Sequence, residues 1–157
     1  MRHMIRGALA AVVWSAAMLM TALVARADAC SDTWFYAALA ATGERDLNQY
    51  MGEGGTQTAK SDFDIVARNM DLAGRTVDAC KQPDTIAKFA FTDAARWQIG
   101  FDRGWITAPI AARRVHSALR RLKAINFDSR DAREYNSVQI RDKALYRAAG
   151  LAWEPVR

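Results

Sequence analysis

Five cations fall between residues 113 and 123 with no acid among them: Arg113, Arg114, Arg120, Arg121 and Lys123. Arg113 and Arg120, like Arg114 and Arg121, stand seven residues apart, so on a helix each pair shares one side. Guanidinium groups pair in a bidentate way with carboxylates and phosphates. Such a face fits an acidic protein surface, an anionic lipid or an anionic envelope polymer. A merely solvated helix face gives the same pattern. A second group, Trp97, Phe101 and Trp105, recurs every four residues. It reads as core, since large aromatics dominate cores, or as a groove for a peptide or sugar ring. Arg113, Arg114, Arg120, Arg121, Trp97, Phe101 and Trp105 are therefore the candidate binding residues.

Catalytic chemistry finds little to work with. His116 is the one histidine beyond the first 27 residues. Ser117 is adjacent to it, and adjacent helical residues do not face each other, so His116 is not placed to activate that hydroxyl. It reads as a surface or boundary histidine. Glycosidase-type hydrolysis needs two carboxylates across a cleft, and no spacing among Glu44, Glu53, Glu134 and the aspartates singles out a pair. The zinc pattern H-E-x-x-H, the haem pattern C-x-x-C-H and the phosphate loop G-x-x-x-x-G-K do not occur in the sequence. No cofactor, metal or catalytic residue is expected.

The chain opens with a basic stretch at Arg2, His3 and Arg6, runs apolar and uncharged over residues 7–25, and reaches Ala25-Arg26-Ala27. Basic, apolar and small-residue segments in that order make a secretory signal peptide, cleaved near Ala27. The apolar run is long enough to serve instead as an uncleaved anchor. Lipidation of Cys30 is disfavoured by Asp28 just before it. Cleavage or anchoring alike puts residues 28–157 outside the cytoplasm, as a periplasmic or secreted domain.

Export changes the charge argument. The full chain of 157 residues has 22 Lys+Arg against 17 Asp+Glu, a net charge of +5. Without the leader the balance is 19 against 17. So small an excess argues against nucleic acid as a partner. What remains is uneven. Residues 28–91 carry 6 basic and 10 acidic side chains, residues 92–157 carry 13 and 7. The two halves can neutralise each other across a packing interface, or the basic half can face an acidic partner.

Cys30 and Cys80 are the two cysteines. In an oxidising compartment such a pair is expected as a disulfide. Closing a 50-residue span constrains the unfolded chain by about 4 kcal/mol in the chain-entropy model.

The elements that must position these residues are helical. Ser31-Asp32 predicts an N-cap for a helix that stops near Gly43, with Trp34, Ala37, Ala38 and Leu39 on its apolar side. A short helical piece over residues 44–51 and a loop over Gly52–Gly55 follow. Phe63, Val66, Met70, Ala73, Val77 and Cys80 alternate steps of three and four. That is one helix face, capped by Ser61 or Asp62 and ended by Pro83. A third helix from Asp84-Thr85 carries Ile86, Ala90, Ala94, Trp97, Phe101 and Trp105, with close packing or a break expected at Gly100 and Gly104. Thr107 and Pro109 start a fourth, whose apolar face is Val115, Ala118, Leu119, Leu122 and Ile125. Residues 126–136 read as a polar turn, and a last helix over 137–149 ends in a glycine cap at Gly150 and Leu151. Nothing alternates with period two. The expectation is one all-α domain over residues 28–157, a small bundle of four to five helices with one disulfide.

Residues 30–90 add a resemblance. A cysteine opening a helix, a Gly-rich loop and an amphipathic helix ending Val77-Asp78-Ala79-Cys80-Lys81-Gln82-Pro83-Asp84 are similar to the small periplasmic HdeA-like proteins. The resemblance implies a helical, disulfide-linked protein. It also implies a homodimer near neutral pH and an acid-activated chaperone that binds clients when acid loosens it. Together the residues and the resemblance predict an exported, non-enzymatic binding protein, chaperone-like or inhibitor-like, with another protein as partner. The alternative is an envelope accessory that docks on anionic lipid or an acidic partner through its Arg-rich helix.

Overall fold

The computed structural model describes residues 28–44, 56–125 and 129–156. The predicted leader, most of the predicted short helical piece and the predicted Gly52–Gly55 loop lie outside the described residues. Five helices follow in order: α1 over residues 28–44, α2 Thr56–Thr76, α3 Pro83–Asp102, α4 Ala108–Lys123 and α5 Ser129–Ala148. No strand occurs among the described residues. The fold is all-α, a small bundle in which α3 packs on α2 and α4, and α4 packs on α5.

The alternating stripe of α2 is buried as its spacing requires: Phe63, Val66, Met70, Ala73 and Val77 all face inward. With Ala37 and Ala40 of α1 and Phe89 of α3 they make one apolar cluster. A second cluster joins Ala87, Ala90 and Ala94 of α3 to Ala111, Ala112, Val115, Ala118, Leu119 and Leu122 of α4, and to Val138 and Leu145 of α5. Helix α3 thus serves two cores with different sides.

Cys30 and Cys80 form the expected disulfide, S–S 2.02 Å. Both are buried, but Cys80 is not on the helix predicted to carry it. Helix α2 ends at Thr76, and a turn over residues 77–79 brings Cys80 round. Pro83 opens α3 instead of closing α2, because a proline at the first helical position gives up only an unsatisfied N–H.

Helix α1 corrects the predicted apolar side. It is already helical at Asp28, ahead of the Ser31-Asp32 cap. Its buried side is the small one, Cys30, Thr33, Ala37 and Ala40, whereas Trp34, Phe35 and Leu39 are 47%, 56% and 43% exposed. The disulfide and a 2.7 Å hydrogen bond between the hydroxyls of Thr33 and Thr76 draw α1 close to α2. That spacing admits small side chains and turns the large ones outward.

Three boundaries also move. Helix α2 begins at Thr56, ahead of the predicted Ser61 or Asp62 cap. Helix α5 begins at Ser129, so much of the expected polar turn is helix. Helix α3 breaks at the glycines, as expected. Gly104 takes φ 71°, and a Cβ on Gly100 would lie 2.3 Å from Ile106 Cδ1 and 3.0 Å from Phe63 Cζ. The glycine cap expected at the end of α5 forms: Gly150 has φ 67°, its N–H donates to Arg147 O, and Leu151 N–H donates to Tyr146 O. The trailing hydrophobic contact expected of Leu151 does not bury it; the side chain is 43% exposed.

Candidate functional site

Helix α4 carries the basic face, and its apolar stripe fixes which cations point out. Val115, Ala118, Leu119 and Leu122 are buried, which turns Arg113, Arg114 and Arg120 to the surface. The five cations then part company. Arg121 pairs with Asp78 and lies 5.7 Å from the Phe89 ring centre. Arg114 sits over the Trp97 ring at 5.1 Å. Lys123 Nζ donates to the Val156 carbonyl at 2.7 Å, which ties the C-terminal tail to α4. Arg113 and Arg120 are exposed and form no ion pair among the described residues.

The aromatic set does not form a groove. Trp97 and Phe101 pack against the α3–α4–α5 cluster, but the break after Asp102 carries Trp105 to the other one, where its ring lies 5.0 Å from Phe63. Trp97 is further committed, since its Nε1–H donates to Asp93 at 3.0 Å. Arg96, which is buried, joins the same network. It donates to Asp93 at 2.9 Å, to Asp71 at 3.2 Å and to the Ala67 carbonyl at 3.0 Å. Burial pushes the Asp93 carboxyl upward, against the opposing pull of the Arg96 charge. The pairs Arg96–Asp71 and Arg121–Asp78 neutralise charge between the basic and acidic halves of the sequence.

His116 gains a partner that its sequence neighbourhood does not disclose. Its Nδ1 lies 2.8 Å from Asp142 Oδ2, and Trp153 Nε1–H donates to the same oxygen at 2.7 Å. Asp142 is 0% exposed at the side chain and His116 17%. The Tyr146 ring lies 5.4 Å from the imidazole, tilted against it. Burial, then the Asp142 charge, raises the Tyr146 phenol, while Arg120 and Arg113 pull it down. The phenol therefore lies within electrostatic reach of both unpaired arginines. Asp142 Oδ1 is buried with no hydrogen-bond partner. A buried carboxylate that accepts from Nδ1–H fixes the ring and its tautomer and leaves Nε2 without a partner among the described residues.

Glu44, at the end of α1, is a further carboxyl pushed upward, like Asp93. Burial pushes its carboxyl up to about 8, partly opposed by Arg96. It lines a cleft of about 310 Å³ with Ala41, Lys88, Phe91, Thr92, Ala95 and Glu134. No cluster of three or more potential metal ligands occurs among the described residues, and no described helix is long and apolar enough to cross a membrane. No protein-family model, curated protein or solved structure matches the chain.

Proposed function

We propose that the chain is an exported, non-enzymatic protein-binding module that takes an acidic partner on the outer face of α4. One observation carries this reading: Arg113 and Arg120 are exposed and unpaired among the described residues, whereas Arg96 and Arg121 are spent on internal ion pairs. Two unneutralised guanidinium groups two turns apart on a rigid helix suit carboxylates on another surface. The packed α3–α4–α5 core behind them supplies that rigidity.

The test is capture from envelope extract by the wild-type chain and by Arg113→Glu/Arg120→Glu. Capture of an acidic protein that the double variant loses, and that raised salt elutes, supports the reading, because exposed charges are screened. Capture that survives charge reversal removes it.

A second reading rests on α1. Exposed Trp34, Phe35 and Leu39, held on a helix pinned by the disulfide, favour a chaperone-like contact with apolar clients. Binding through that face would persist at high salt. Trp34→Ala/Phe35→Ala would abolish it and leave capture by α4 untouched.

A further inference from the structure

The α4 face is more than two arginines. Arg113, His116 and Arg120 stand at i, i+3 and i+7, so one side of the helix presents them in a row. Across from them on α5, the Tyr146 ring packs on the imidazole, and its phenol feels both guanidinium charges together with the opposing carboxylates of Asp142 and Glu154. The imidazole is held: Nδ1 is occupied by Asp142, which Trp153 holds in turn. Asp142 is wholly buried, so this support lies behind the surface row. A simply solvated face needs no such backing; a recognition site does, since a donor fixed in advance loses little freedom on binding.

We propose that Arg113, His116 Nε2, Arg120 and the Tyr146 hydroxyl form one oxyanion-binding site, which receives a side-chain carboxylate of the acidic partner, with Asp142 as positioning residue for His116. The proposal rests on the α4 docking reading and names the group that docks. The arginines supply charge and paired N–H donors and the phenol adds one O–H donor. The imidazole, whose Nδ1–H is turned to Asp142, donates from Nε2 to the same oxyanion as the imidazolium, held between two carboxylates.

The experiment is an NMR titration of the purified chain, reading the His116 imidazole nitrogens and the Tyr146 ring signals. The probes are hexaglutamate and, separately, inorganic phosphate. Saturable shifts with hexaglutamate are expected, weakened about tenfold in Arg113→Ala/Arg120→Ala and in His116→Gln, and a few-fold in Tyr146→Phe. Equal affinity in the surface arginine variant, which removes no buried group, would overturn the site. Saturation by phosphate but not by hexaglutamate would overturn its assignment to a protein carboxylate.

The role of Asp142 has its own readout. If it acts through His116, Asp142→Ala and His116→Gln each weaken binding and their double variant is no weaker than either. Asp142→Asn keeps an acceptor for the Nδ1 proton and stays within about threefold of the parent. Additive losses, or loss of binding by a folded Asp142→Asn, would overturn the positioning role. Partner capture separates the two levels. If charge reversal of the arginines abolishes capture but His116→Gln and Tyr146→Phe change neither capture nor titration, the site falls and the docking face stands. If capture survives charge reversal, the docking reading falls, and the titration decides the site alone.

Discussion

Asp142 on α5 stands 2.8 Å from His116 Nδ1 on α4, with no solvent at the carboxylate. The contact closes a 26-residue separation and joins two helices through polar atoms within an otherwise apolar interface. Asp142→Ala strips a partner from both His116 Nδ1 and Trp153 Nε1. A loss of about 2–4 kcal/mol is expected in urea unfolding, since two partly buried donors go unsatisfied. Asp142→Asn should lose clearly less.

Reduction of the Cys30–Cys80 bond frees a 50-residue span of the unfolded chain. The chain-entropy model gives about 4 kcal/mol for it. Cys30→Ala/Cys80→Ala should lower the midpoint of thermal unfolding by about 10 °C, on a scale of roughly 2–4 °C per kcal/mol for a domain of this size. Added dithiothreitol should do the same to the parent and leave the double variant unmoved.

Glu44 makes stability depend on pH in an unusual direction. Its carboxyl is pushed up to about 8 from 4.5, so the folded chain holds a proton that the unfolded chain has released. Between those values the folded state binds more protons, and stability falls as pH rises, then levels off above 8. Asp93, also raised, adds to the same slope. Glu44→Gln should flatten the melting temperature between pH 5 and pH 8 and exceed the parent at pH 8 by about 5 °C. A parent whose melting temperature rises with pH over that window would contradict the assignment.

Gly100 leaves no room for a methyl group. Its Cβ would fall 2.3 Å from Ile106 Cδ1 and 2.9 Å from Ile106 Cγ1, with Phe63 Cζ at 3.0 Å. Gly100→Ala should destabilise by about 1–3 kcal/mol through overpacking. At Gly104 the space is open and the φ of 71° is the obstacle, so Gly104→Ala should lose only about 1 kcal/mol. Denaturant unfolding of the two single variants separates these causes.

Much of the fold follows from local periodicity. The three-and-four stripe of α2 names its buried side chains because it is the long continuous apolar row on that helix, against which Ile65 and Leu72 form only a short one. The paired cysteines and the glycine end of α5 are equally local signals. Trp105 escapes such reading: a stripe presumes a continuous helix, and the turn at Gly104 rotates Trp105 toward Phe63. Trp34 and Leu39 are misread because hydrophobicity says nothing of how near α2 approaches. Part of the site is legible too, since the exposed arginines of α4 follow from its buried stripe. Asp142 and Trp153 are not: each looks like an ordinary residue on a polar segment, and only tertiary folding brings them to His116. Glu44 is likewise invisible, because a charged residue beside Gly43 reads as the edge of a loop until neighbouring helices bury it.

Helix α3 lends one side to the cluster that contains α1 and α2 and another to the cluster that contains α4 and α5. Neither core can dissolve without stripping a face from the helix that the other needs. Cooperativity is therefore built into the middle of the chain. A scanning calorimeter should record one endotherm, and a lesion in either half should shift that single peak instead of splitting it.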